Sequence, residues 1–243
     1  MLQACLNGAC ARSETARVPL TADELAADAK AVRAAGADTL HVHPRDRSGA
    51  ESLAPGDVSA ALDAIRAAVP EMPVGISTGD WIAPGGNSRH ADMEAWSVLP
   101  DYVSVNLGES DVPEVMAMMA ARKIGIEAGL ASTADARRFA ALARRPEPLR
   151  ILIEMDDMEP DLALDEANAV NAVLVDAGIT APVLLHGFGQ SAWACIEEAG
   201  RRGWQTRVGF EDVLVLPDGT PAPDNAALVA AARNIMTGGS RGA

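Results

Sequence analysis

The sequence lacks most of the features that would tie it to a special environment. Its three cysteines, Cys5, Cys10 and Cys195, cannot all pair with one another and form no CxxC, which argues against a disulfide framework. They read as small buried apolar residues. No apolar run approaches the roughly 18 residues of a membrane span, and Met1 to Cys10 has no basic n-region of the kind that opens a secretory signal. A cytoplasmic enzyme is expected. Positive charge is also scarce: 20 basic side chains face 34 acidic ones, for a formal net charge of −14. Such a surface repels phosphates and excludes nucleic acid as the expected partner. Linkers, low-complexity stretches and repeats beyond the β/α alternation described below are absent, so one domain over residues 1–243 is expected, with 49% hydrophobic residues to fill its core.

What is present is a regular alternation. Leu2 to Leu6, Thr39 to His43, Val74 to Ser77, Tyr102 to Asn106, Lys123 to Ile126, Leu149 to Ile153, Pro182 to His186 and Thr206 to Phe210 are short apolar runs of strand type. Between them lie helical patterns: Ala22 to Ala35 behind the capping box Thr21-Ala22-Asp23-Glu24, Gly56 to Val69, Val112 to Ala121, Ser132 to Ala143, Asp161 to Ala177, Ala192 to Ala199 and Asn225 to Ile235. Eight strands and seven clear helices, with a weak signal between strands three and four, predict a (β/α)8 TIM barrel, an α/β fold; a doubly wound open sheet is the alternative. The strands read as continuous apolar runs, as expected when both faces are covered. The polar residues fall at predicted strand ends, which a barrel gathers at one rim: His41 and His43, Ser77, Ser104 and Asn106, Glu127, Glu154, His186, and Glu211-Asp212.

Half of the four histidines sit two residues apart in Asp38-Thr39-Leu40-His41-Val42-His43-Pro44-Arg45-Asp46. Side chains at i and i+2 of a strand share a face, so His41 and His43 present two imidazoles to one cation. The third ligand is sought at the end of strand eight, in Arg207-Val208-Gly209-Phe210-Glu211-Asp212, because only strand one separates strands eight and two around a closed barrel. Two His and one Glu leave a position open, as in catalytic zinc sites. The plainer alternative makes the imidazoles hydrogen-bonded residues of the barrel mouth and Glu211 a helix cap. Ser77-Thr78-Gly79 offers hydroxyls and amides to a carboxylate or an oxyanion, or is a strand-end turn. Ser104 and Asn106 share a strand face and either line the same pocket or satisfy backbone groups. His90 reads as a surface residue, His186 as a rim contact or a satisfied barrel histidine, and Asp156-Asp157-Met158-Glu159 as a solvated loop. Trp81 to Trp96 is a lid or a long connection. Met116, Met118 and Met119 read as core, with self-association into a homo-oligomer as the other use of such a stripe.

Taken together the motifs resemble the β-keto acid cleavage enzyme family. The resemblance is carried by Asn7-Gly8-Ala9, Pro19 to Glu24, Ala35-Gly36-Ala37 before His41-Val42-His43-Pro44-Arg45-Asp46, Ile76-Ser77-Thr78-Gly79, Ser104-Val105-Asn106-Leu107-Gly108, Glu127-Ala128-Gly129 and Arg207 to Asp212. It implies a zinc-dependent (β/α)8 enzyme in which His41, His43 and Glu211 hold the metal and Ser77, Ser104, Arg207 and Asp212 belong to the catalytic pocket. It further implies a small β-keto acid as substrate and an acyl-CoA, usually acetyl-CoA, as co-substrate, with acyl exchange giving acetoacetate or its CoA ester and a new CoA thioester. In that scheme Asp212 is the acid/base, ordered by Arg207, and Thr78, Gly79 and Asn106 line the substrate. Departures are visible. Cys10 stands where the type member has a carboxylate that reads the substrate, leaving Glu127 as a partner for a cationic group or as a buried salt bridge. Asp80 replaces a glycine, Glu109 a hydroxyl residue, and Ile153-Glu154-Met155-Asp156 a Gly-rich stretch. Two rivals stand beside this reading: a metal-dependent hydrolase, which needs further strand histidines, and a metal-binding barrel without CoA-dependent turnover.

Overall fold

A computed structural model describes residues 1–143 and 145–238. Among them, eight parallel strands alternate with eight α-helices: β1 Leu2–Cys5, α1 Ala22–Ala34, β2 Thr39–Val42, α2 Pro55–Ala68, β3 Val74–Ser77, α3 Arg89–Glu94, β4 Tyr102–Asn106, α4 Val112–Ala121, β5 Gly125–Leu130, α5 Thr133–Ala141, β6 Arg150–Met155, α6 Pro160–Asp176, β7 Val183–Gly187, α7 Ala192–Arg202, β8 Thr206–Val208 and α8 Asn225–Met236. The sheet runs β7-β6-β5-β4-β3-β2-β1-β8. Gln205 closes the ring, donating to Val183 O and accepting from Leu185 N, both at 3.0 Å. The expected (β/α)8 barrel is the observed fold.

Local sequence accounts for the element ends. The Thr21 hydroxyl and the Glu24 carboxylate cap α1 reciprocally, Ser132 accepts from Asp135 N to start α5, and prolines occupy the first turns of α2, α4 and α6. The weak signal between strands three and four is the six-residue α3, preceded by a 3-10 turn at Gly86–Ser88. Several strand boundaries differ from the sequence reading, and two of them bear on the site. Lys123 has φ +60 and closes α4, so β5 begins at Gly125 and runs to Leu130, which puts Glu127 inside the strand instead of at its end. After β8 the chain turns at once, with Asp212 N donating to Gly209 O at 2.9 Å, and Glu211 sits in that turn.

The strands are not uniformly apolar. Leu2, Ala4, Leu40, Val42, Val74, Ile76, Val103, Val105, Ile151 and Ile153 face the helices and build the core, each fully buried aliphatic contributing about 1.5–3 kcal/mol. The alternate residues face the barrel axis and are largely polar: Gln3 pairs with Arg207, Ser77 with Ser104, Ser104 with Glu127, Glu127 with Arg150 and Glu154 with His186 in the strand registers. Met116 and Met119 are buried in the core and Met118 packs against it, as the helical spacing suggested.

Candidate functional site

At the C-terminal ends of the strands, His41, His43 and Glu211 converge. The two imidazole Nε2 atoms lie 3.2 Å apart, and Glu211 places Oε2 3.8 Å from His41 Nε2 and Oε1 3.6 Å from His43 Nε2. One ligand atom from each side chain lies within 4.8 Å of the others, close enough to share one cation. All three donors are drawn from side chains that can hold a metal ion together. Glu211 Oε2 has no hydrogen-bond partner although it is buried, the state of a ligand atom waiting for a cation. The residues present therefore fit a three-ligand metal site.

The supports of this group come from β1 and the β2–α2 loop. Asn7, wholly buried, accepts from His43 N at 2.9 Å and donates to His43 O at 2.8 Å, fixing the peptide on both sides. Gly8, at φ +51, leaves room for Glu211: a Cβ there would stand 2.2 Å from Glu211 Cγ. Glu51 takes the other ring nitrogen of His43 in a short hydrogen bond, the carboxylate–histidine pairing that orients metal ligands. Desolvation lowers His41 to about 3, so its imidazole is neutral; His43, against the same desolvation, is raised to about 9 by Glu211 and Glu51. Arg207 donates to Glu211 Oε1 and Asp212 Oδ1, both at 2.8 Å. Burial raises the Asp212 carboxyl even against that guanidinium, and Asp212 Oδ2 is left without a partner.

A cavity of about 350 Å³ opens onto the triad and is lined further by Ser77, Trp81, Ser104, Asn106, Glu154 and Arg207. Ser77 Oγ accepts from Gly79 N at 3.2 Å, leaving its proton free to point elsewhere. Thr78 and Gly79 do not line the cavity: Thr78 is buried and donates to Ser104 O at 2.7 Å, and Gly79 carries the Trp81 ring. Cys10 and Asp212 line a second cavity of about 650 Å³ that meets the first at Ala9 and Glu211. Burial pushes the Cys10 thiol up, so it is present as the neutral thiol.

Glu127 lies elsewhere. It is fully buried below the cavity, 3.2 Å from Arg150 Nε and 2.8 Å from Gln3 Nε2, so the geometry gives it the buried salt bridge. His90 is not an isolated surface residue; it lies in α3 with Nε2 2.6 Å from Asp111 Oδ2. His186 is a wholly buried barrel residue whose Nδ1 accepts from Arg207 Nε at 3.2 Å. Of the acidic loop, Asp157 accepts from Gln190 N at 2.9 Å and Asp156 edges the cavity. The Trp81 to Trp96 segment spans α3, with Trp81 over the cavity, hydrogen-bonded to Glu51, and Trp96 buried and donating to Leu53 O.

Three residues of the site escape a sequence reading. Asn7 appears in a turn motif and Glu51 in a loop, without a pattern that ties either to His43. Arg89 gave no signal at all, yet it has zero exposure and spends all its donors: on Thr78 O and Gly86 O at 2.8 Å, on Glu109 Oε2 at 2.7 Å, and on Asp111 at 2.7 and 3.1 Å. Glu109 Oε1 in turn accepts from Asn106 Nδ2 at 3.1 Å. An arginine followed by a distant acidic pair, Glu109 and Asp111, is the one hint the sequence holds.

Comparison with known proteins follows the geometry. The chain is similar to ObcA in a ternary complex with a C4-CoA adduct and oxalate, at a TM-score of 0.76 and 16% identity over 91% of this chain and 64% of that one. It is also similar to ObcA in a binary complex with oxaloacetate, at 0.74 and 15% over the same shares. The chain thus spans under two thirds of the length of these proteins. The 3-dehydroquinate dehydratase of Aquifex aeolicus VF5 shares the fold at 0.59 and 10% identity, over 98% of both chains. The family description that matches is beta-keto acid cleavage enzyme (BKACE), over residues 1–241, and the chain belongs to the β-keto acid cleavage enzyme family.

Proposed function

We propose that this protein cleaves a small β-keto acid in a zinc-dependent retro-Claisen reaction, exchanging acyl groups with an acyl-CoA such as acetyl-CoA to give acetoacetate or its CoA ester and a new CoA thioester. The observation that carries the reading is the convergence of His41, His43 and Glu211 at a cavity whose wall also holds Ser77, Ser104 and Arg207, with Asp212 just behind it. Family membership supports the substrate class. Structures of the same fold that hold oxaloacetate, itself a β-keto acid, and a C4-CoA adduct support the two kinds of substrate.

His41, His43 and Glu211 would hold the zinc, and the chemistry it would supply there is Lewis acidity toward a substrate oxygen. Ser77, whose oxygen is pinned by Gly79 N, directs its hydroxyl proton into the cavity to hold the substrate carboxylate or the developing oxyanion. Ser104 adds a second hydroxyl on the same wall. Arg207 fixes Asp212, whose raised carboxyl and unpartnered Oδ2 suit it to take and return a proton. The acceptor approaches through the second cavity, where Cys10 and Asp212 meet it.

The test is metal content and turnover together. Protein purified without added metal is expected to carry about one zinc per chain, lost in His41→Ala and Glu211→Gln, and to consume β-keto acids faster with acetyl-CoA than without. Full zinc retention in Glu211→Gln would break the site apart. Zinc without any consumption of β-keto acids would favour a metal-binding barrel.

A further inference from the structure

The proposed reaction leaves one part of the cavity wall, built by Asn106, Gly129 and Glu154 from β4, β5 and β6, without a task. Two acceptor oxygens meet there. A Cβ on Gly129 would stand 2.0 Å from Glu154 Oε1 and 3.1 Å from Asn106 Oδ1, so both oxygens hang over the bare Cα of that glycine, facing the cavity that all three residues line.

Asn106 is held in place from behind, and Glu154 has a buried imidazole behind it. Asn106 gives its amide nitrogen to Glu109 Oε1, an oxygen that also accepts from Asp80 N, which turns Oδ1 toward the cavity. Arg89 holds Glu109 by its other oxygen. Glu154 Oε2 lies 3.4 Å from His186 Nε2. Since His186 Nδ1 accepts from Arg207, Nε2 carries the proton, and this wholly buried nitrogen beside Glu154 makes no hydrogen bond. Glu154 Oε1 and Asn106 Oδ1 receive no hydrogen bond from any described residue. Two converging acceptors without a donor form a half-made hydrogen-bond site. Arg207, the arginine among the described residues lining this cavity, is already committed to Glu211, Asp212 and His186.

We infer that Glu154 and Asn106 are specificity residues that read a hydrogen-bond donor, an ammonium or a hydroxyl, on the acyl end of the substrate. The inference rests on the proposed function for which molecule enters the cavity, and adds which end faces β6 and what that end carries. With the β-keto carbonyl at the metal wall, the acyl substituent extends toward Gly129, where a side chain in place of hydrogen would displace the Glu154 carboxylate. The carboxylate favours a cationic donor and the neighbouring amide oxygen accepts either kind.

The experiment uses the zinc-loaded protein and three β-keto acids of equal length that end in an ammonium, a hydroxyl or a methyl group. Dissociation constants from calorimetry are read beside kcat/KM. The donor-ended acids are expected to bind about tenfold tighter than the methyl-ended one. Glu154→Leu should erase that preference at unchanged zinc content, whereas Glu154→Gln should weaken the ammonium acid about tenfold and the hydroxyl acid little. Asn106→Leu, which leaves Glu154 in place, should lower affinity for both donor ends. Equal binding of all three acids to the wild type, a preference that survives Glu154→Leu, or no binding of any of them overturns the inference. Selective binding without cleavage overturns the proposed reaction and leaves the subsite standing.

Discussion

The barrel contains two buried polar layers of similar composition and opposite outcome. The lower layer, Gln3, Tyr102, Glu127, Arg150 and Gln205, closes on itself: Gln3 Nε2 bridges Glu127 and the Tyr102 hydroxyl, and Arg150 joins Glu127 to Gln205. The upper layer, His41, His43, Glu211, Arg207, Asp212, His186 and Glu154, does not close. It leaves His41 Nδ1, Glu211 Oε2, His186 Nε2 and Asp212 Oδ2 without hydrogen bonds, against Glu127 Oε2 and the ion-paired Arg150 Nε below. An unsatisfied buried polar atom costs about 1–3 kcal/mol, so the upper layer persists because groups outside it hold its members apart. Asn7 and Glu51 do this for His43, and Arg89, through Glu109, holds the neighbouring Asn106. The candidate site lies where the polar network is kept open.

The largest test of that contrast removes a member of the open layer. Zinc added to the apo wild type should raise Tm in a concentration-dependent way, since a ligand that binds only the folded state adds RT ln(1 + [L]/Kd) of stability. His41→Ala and Glu211→Gln should abolish the rise. An undiminished rise in either variant would mean that the cation sits elsewhere.

Arg89→Met tests the external support. It strands Glu109 and Asp111 as buried carboxylates, and breaking such a pair costs about 3–5 kcal/mol, on the order of 10 °C in Tm for a chain of this size. The metal wall makes no contact with Arg89, so zinc per chain should stay at the wild-type level in the folded variant. Loss of zinc along with the lost stability would show that the two walls are one cooperative unit. A smaller effect is expected at Glu51, which touches the metal site through His43 alone: Glu51→Gln should weaken zinc affinity by about 10–100-fold, the usual cost of losing an outer-shell partner. Affinity within twofold of wild type would leave Glu51 as a partner of Trp81 only.

The same contrast explains what the sequence made legible. His41, His43 and Glu211 could be paired in advance because strand periodicity and barrel neighbourhood are rules of the backbone, and the structure places them together. The capping box of α1 and the core methionines follow from local rules too. Glu127 misled because β5 was placed at Lys123 to Ile126: α4 ends at Ala121 as expected, but the left-handed Lys123 belongs to the turn after it, and the strand runs from Gly125 to Leu130. Arg89, Glu51 and Asn7 were illegible as supports because each meets its partner only through tertiary structure, across 20 to 22 residues for Arg89 and its two carboxylates, 8 for Glu51 and His43, and 36 for Asn7 and His43. A buried arginine in particular is invisible to any hydropathy pattern, since what buries it is the satisfaction of all its donors.

The smallest expected effect probes the closed layer by pH. Burial raises Glu127 to about 7 in spite of Arg150 and Gln3, whereas the unfolded chain releases that proton near the ordinary carboxylate value of ~4.3. Between those two values the folded state binds more protons than the unfolded state, so the Glu127 contribution to stability declines as pH rises through that window and levels off above it. Glu109, raised to about 7 by burial against Arg89, and Asp28, raised to about 6, slope the same way, which is why the comparison must be a difference between proteins. Urea unfolding of wild type and Glu127→Gln at pH 4.5, 5.5, 6.5 and 7.5, about the span between the two values, isolates the residue. The glutamine keeps a carbonyl for Gln3 and has no proton to lose, so the wild-type curve should fall more steeply with pH than the variant's. Parallel curves would show that Glu127 stays ionised throughout, held by Arg150, and that the closed layer is a true ion pair rather than a proton-sharing one.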